Sequence, residues 1–131
     1  MIQRIQTIFL LLAAALTASL FFVPLWKQCC LFVYIERHCV ITICVVAASL
    51  LPLVIVFLYQ RRMLQIRLCM VNALILIGCQ GLIAYYFLST EMTATLCVPS
   101  VFPLVAAILT LIAARYIKRD ENLVRAADRL R

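Results

Sequence analysis

Four long stretches of this 131-residue chain contain no aspartate, glutamate, lysine or arginine. They are residues 5–26, 38–60, 68–90 and 92–114, each 22 or 23 residues long. Proton- and ion-coupled transporters usually keep a costly ionisable group inside such stretches. Small four-helix multidrug exporters depend on a carboxylate there, and this chain offers none. Glycine is nearly missing too, with two in the whole chain, which excludes collagen-like and low-complexity readings and any glycine-rich phosphate loop. The single histidine, His38, stands beside Glu36 and Arg37 without a carboxylate cluster, so no metal site is expected. No Cys-x-x-Cys pair and no nucleophile–base spacing is present, so neither an enzymatic activity nor a cofactor is expected.

Apolar residues are what the chain has in excess. It is 67% hydrophobic and 13% charged, against about 45–50% and about 25% in soluble domains. A chain this short has too high a surface-to-volume ratio to hide that excess, so it must face lipid. A helix crosses a hydrocarbon core of roughly 30 Å with about 20 apolar residues at about 1.5 Å each. Each uncharged stretch therefore matches one crossing. Helix is the required form, because backbone amides in lipid must be satisfied within the segment. A membrane β-barrel would need alternating short segments, and none is visible.

Proline trims the last stretch. Pro99 suits a first helical turn, where its missing N–H costs nothing, so the fourth span is placed at 99–117 and 89–98 is read as a loop. Pro103 then lies one turn in and Pro52 lies inside the second span. Each removes one helical hydrogen bond, a loss that membrane helices tolerate. Arg4 followed by an apolar run resembles a signal peptide, but the run continues through Pro24 and Trp26 without an Ala-x-Ala site, so an uncleaved first helix is expected.

Charge sets the expected orientation. With the N-terminus inside, ten basic residues fall on the inner side and only Lys27 and Arg37 on the outer. That asymmetry obeys the positive-inside rule. Aromatic residues near span ends agree: Phe21, Phe22 and Trp26 outside, Tyr85, Tyr86 and Phe87 outside, Tyr59 and Tyr116 inside. The formal charge of +7 is thus a feature of membrane orientation, and its scatter over short loops gives no nucleic-acid surface.

Three stretches carry a family resemblance. Met1-Ile2-Gln3-Arg4-Ile5-Gln6-Thr7, the loop sequence Leu64-Gln65-Ile66-Arg67-Leu68, and a tail with Asp120-Glu121, Leu123-Val124-Arg125 and Asp128-Arg129-Leu130-Arg131 resemble domain of unknown function 4293. The resemblance implies a four-span protein of the bacterial inner membrane, seen chiefly in Bacteroidetes. It implies no activity, and the cysteine-bearing first outer loop is not part of the pattern.

These three stretches would meet at the inner face. Arg4, Gln65, Arg67, Asp120, Glu121, Arg125, Asp128 and Arg129 form the candidate interaction cluster, with the tail carboxylates expected to pair with Arg4 and Arg67. Glu121 and Arg125 at i,i+4 suit a helical tail, whose stripe of Leu123, Ala127 and Leu130 could dock on the bundle or lie at the interface. The alternative is a solvated helix end attracted to anionic lipid. In the third span, Cys69, Asn72 and Cys79 share a face, Gly78 and Gly81 offer points of close approach, and Asn72 and Gln80 are candidates for interhelical polar contacts. Cys29, Cys30, Cys39 and Cys97 lie toward the outer side, where disulfides are permitted, and Cys39 with Cys97 is the pair that could bridge.

The expected fold is therefore all-α: a single-domain integral membrane four-helix bundle, up-down-up-down, with both termini cytoplasmic. Its spans are 5–26, 38–60, 68–88 and 99–117, and its cytoplasmic tail is 118–131. The expected function is that of a non-enzymatic accessory subunit or scaffold working through its cytoplasmic face. Its partners would be the lipid bilayer and a second copy or another membrane protein. A small-molecule transporter would instead show a hydrated cavity near Asn72 and Gln80, and a thiol-redox protein would use the outer cysteines.

Overall fold

A computed structural model describes residues 2–28, 31–33, 39–58, 60–89 and 94–131. Four α-helices form its framework: α1 (Ile2–Ser19), α2 (Cys39–Phe57), α3 (Arg62–Ser89) and α4 (Phe102–Arg129). Among the described residues three helical segments are long and apolar enough to cross a membrane, Cys39–Phe57, Arg62–Ser89 and Val98–Arg129, while α1 is a shorter apolar helix. At about 1.5 Å per residue, α3 and α4 are each about 42 Å long, well beyond a hydrocarbon core of roughly 30 Å.

The first helix stops earlier than its uncharged run. Ser19 ends α1, whereas the run continues to residue 26. The Thr17 hydroxyl donates to the Ala13 and Ala14 carbonyls and the Ser19 hydroxyl to Leu16 O. The next three amides then bond three residues back, from Leu20 to Thr17, Phe21 to Ala18 and Phe22 to Ser19. That tightening ends the helix, and Pro24 keeps it from resuming.

Beyond it lies an element absent from the all-α expectation. Strands β1 (Trp26–Gln28), β2 (Leu31–Val33) and β3 (Ala94–Leu96) form an antiparallel sheet in the order β2-β1-β3. Trp26 pairs with both Val33 and Leu96, and Cys97 N donates to Leu25 O beside them. The sheet joins the segment after α1 to the segment before α4. The stretch 89–98, expected as loop, thus contains a strand, and the helical entry follows it as a 3-10 turn at Val98–Val101. Pro99 stands in that first turn, as expected, and Pro103 is the second residue of α4.

Each helix packs on two others: α1 on α2 and α4, and α3 on α2 and α4. Three buried layers run through the helices. Leu20, Leu25, Ile41, Val45, Cys79 and Ile83 fill the layer toward the sheet. Ala13, Ala48, Leu76, Ala106 and Ala107 fill the middle. Leu10, Ile55, Cys69, Ala113, Ala114 and Ile117 fill the layer at the far end. Small residues dominate the middle layer and let backbones approach, which is how apolar helices gain contact without a solvent-driven force. Gly78 and Gly81 play no part in this: each faces open space, so the expected close approach is not made there. Many large apolar side chains point outward, among them Ile43, Leu74 and Phe57, as a lipid-facing surface requires.

Candidate functional site

The polar groups converge at the end opposite the sheet. The buried face of α1 runs through Gln6, Leu10, Ala13 and Thr17, and that of α3 through Gln65, Cys69, Asn72, Leu76, Cys79 and Ile83. These are helical spacings of three and four. In α4 the buried face reaches Ile117, and Asp120 follows one turn later. Gln6, Thr7, Arg62, Gln65 and Asp120 meet around a cavity of about 30 Å³, closed by Val56 and Ile117. That is room for about one water molecule. One turn away on the α1–α4 contact, the rings of Phe9 and Tyr116 stack with centroids 6.0 Å apart and planes at 8°.

Arg62 and Asp120 are the charged members. Nη1 of Arg62 lies 3.3 Å from Oδ2 of Asp120, with side chains 30% and 19% exposed. The same Nη1 is buried and makes no aligned hydrogen bond. The pair is therefore held by proximity of charge rather than by a directed N–H bond. Gln6 is 5% exposed, and its Nε2 is buried with no hydrogen-bond partner. Both unmet groups are donors, so the cavity presents unmatched hydrogen to whatever acceptor enters it.

The candidate cluster is only partly gathered. Gln65 and Asp120 belong to the cavity. Glu121 pairs along its own helix with Arg125 at 3.1 Å, as the i,i+4 spacing predicts. Arg125 also reaches the Met63 sulfur at 3.6 Å, tying the tail to the start of α3. Arg4 and Arg67 are exposed, and the expected pairing with the tail carboxylates is not made: Asp120 takes Arg62 and Glu121 takes Arg125. The reason is helical phase. Arg67 lies two positions past Gln65, which turns it about 200° away from the buried face. Asp128 and Arg129 are exposed near the end of α4. The tail stripe does not dock on the helices either, since every residue from 122 to 131 is exposed. Gln6, Thr7 and Arg62 are the members that charge-guided reading missed.

Deeper in the helices, Asn72 is fully buried, and neither its Oδ1 nor its Nδ2 has a hydrogen-bond partner. Oε1 of the half-buried Gln80 is likewise unmet. The expected interhelical hydrogen bonds of these two amides are thus not formed. Buried hydroxyls do not supply them: Thr17, Ser100 and Thr110 each donate to a carbonyl three or four residues back. Cys39 and Cys97 are free thiols, while Cys29, Cys30 and His38 lie outside the described residues. Among the described residues no three of histidine, cysteine, aspartate and glutamate gather as a metal site would require.

A family model described as "Domain of unknown function (DUF4293)" matches residues 2–130. No curated protein and no solved structure matches the chain.

Proposed function

The chain belongs to the DUF4293 family, and from that premise we propose that it is a non-enzymatic, four-span protein of the bacterial inner membrane. Its helices run up-down-up-down with both termini in the cytoplasm, and it presents the end of α4 to a protein partner. The three buried layers support the antiparallel order. The layer toward the sheet takes the residues just after α1, the start of α2 and the end of α3, and the far layer takes the middle of α1, the end of α2 and the start of α3. The basic residues support the orientation, because Arg4, Arg61, Arg62, Arg67 and the tail cations belong to one side.

One observation carries the functional reading. Helix α4 continues twelve residues past its last buried position, Ile117, and from residue 122 every side chain is exposed. Such an extension has no packing reason to remain helical on its own. Its base is fixed by Arg62–Asp120 and by Arg125 against Met63. It carries Leu123 and Val124 outward at 55% and 41% exposure. A rigidly based helix with apolar side chains among charges suits docking into a partner's groove.

The test is site-specific photo-crosslinking at Val124 in native membranes, followed by mass spectrometry. The expected result is one discrete adduct, lost when residues 122–131 are removed while the protein stays in the membrane. A chain that purifies as a lone monomer and gives no adduct would overturn this reading.

A further inference from the structure

On its outward side, the α3–α4 contact carries a groove of about 570 Å³. Met70 of α3 and Ile108, Leu111 and Ile112 of α4 line its apolar length. Ala114, small and 5% exposed, forms part of its floor. Arg115 and Lys118 line one end. The order along α4 follows one face: Ile108, Leu111, Ile112, Arg115 and Lys118 recur at helical spacing. The groove thus changes from hydrocarbon-like to cationic along a single line.

We propose that this groove is a binding site for one anionic phospholipid of the inner leaflet. An acyl chain lies along Met70, Ile108, Leu111 and Ile112, and Arg115 and Lys118 hold the headgroup phosphate. The inference rests on the membrane orientation proposed above and adds a ligand to it.

Length fits this occupant. Ile108 lies seven residues from Arg115, about 10 Å along the helix, within the roughly 15 Å depth of one leaflet. Charge fits as well. The two ion pairs among the described residues are Arg62–Asp120 and Glu121–Arg125, so neither groove cation is committed to a carboxylate there. Arginine supplies paired donors to phosphate oxygens, and lysine adds a compact charge. A second copy of the chain suits the groove poorly. Copies share one orientation in the membrane, so a two-fold contact here sets like cations opposite one another at the same depth, which is repulsive.

The test uses the full chain, stripped of lipid in a neutral detergent and titrated with phosphatidylglycerol or phosphatidylcholine under native mass spectrometry. The expected result is one retained phosphatidylglycerol per chain. Affinity should fall roughly 10- to 30-fold in R115Q/K118Q, at about three- to fivefold for each cation near an anionic lipid. The tail variant R129Q/R131Q removes the same charge elsewhere and should bind as the parent does. M70W, which narrows the groove from an exposed position and keeps the charge, should weaken binding too. Equal loss in the two charge variants, or equal retention of phosphatidylcholine, overturns the site. So does a parent chain that returns as a lipid-free dimer, or with a protein that R115Q/K118Q releases and removal of residues 122–131 does not. All variants are first checked for unchanged helical circular dichroism and a single elution peak; a charge variant failing that check is replaced by its single substitutions, and M70W by M70F. The readout needs no tail partner, so it fails or succeeds separately from the docking of α4.

Discussion

The Asp120 carboxylate meets Arg62, 3.3 Å away, rather than Arg67. Both arginines belong to the start of α3, and they differ by phase. Arg62 is one turn before Gln65 and shares its buried face, while Arg67 points outward. Arg62→Glu should therefore destabilise the protein by about 1–3 kcal/mol, the usual cost of removing a partner from a partly buried charged contact. Arg67→Glu should change stability by less than about 0.5 kcal/mol. The double exchange R62D/D120R should recover part of the loss. Thermal unfolding in detergent checks this, and equal damage from Arg67→Glu would show that Asp120 is paired otherwise.

The same geometry makes Gln6 the residue to probe next. Its Nε2 is buried and unmet beside a cavity the size of one water. A water there would accept from Gln6 and remain in reach of the polar wall formed by Gln65 and Asp120. Gln6→Leu removes that donor while keeping bulk, and it should cost about 1 kcal/mol, the net value of an internal hydrogen bond. Gln3→Leu changes the same residue type three positions away and serves as the comparison. If the two variants melt alike, the cavity contributes nothing to holding α1.

How much of this was legible in the sequence depends on which force set each feature. Charge placement located α2, α3 and α4 because ionised groups are excluded from lipid whatever the packing. It overran at α1, because Thr17, Ser19 and Pro24 end a helix without any charge. The sheet was invisible because a pairing such as Trp26 with Leu96 joins segments far apart in the chain, and three-residue strands leave no alternation to detect. At the site, Gln65 and Asp120 stood out, whereas Gln6 and Arg62 did not. Yet Gln6 is in phase with Leu10, Ala13 and Thr17, so its burial was readable from periodicity alone. Attention to charge favoured Arg4, which has the wrong phase.

Orientation is testable with residues already in place. Cys39 is exposed at the sheet end and Cys97 is half-exposed there. In a C29S/C30S background, an impermeant maleimide should label these thiols from outside the inner membrane, while Arg131→Cys should label only after that membrane is opened. Cys69 and Cys79 are buried and should stay unlabelled in the folded protein. External labelling at position 131 with protection of Cys39 would invert the proposed topology.

The middle layer gives a prediction of opposite sign. Asn72 is fully buried, with both amide atoms unmet, between the far layer's Cys69 and the middle layer's Leu76 on one face of α3. An unmet buried amide costs about 1–3 kcal/mol, and a lipid-inserted unfolded helix recovers part of that by finding other partners. Leucine has similar length and branching, so Asn72→Leu should raise stability by about 1 kcal/mol, less whatever strain its larger volume imposes. Ala106→Leu, at a fully buried position of α4 in the middle layer, overfills a packed site and should instead destabilise by about 1–3 kcal/mol. Unfolding of the two variants in the same detergent separates polar relief from overpacking. Should Asn72→Leu also destabilise by more than about 2 kcal/mol, Asn72 must have an acceptor or donor in the folded protein, and a hydrated or ligand-bound interior becomes the better account of this amide.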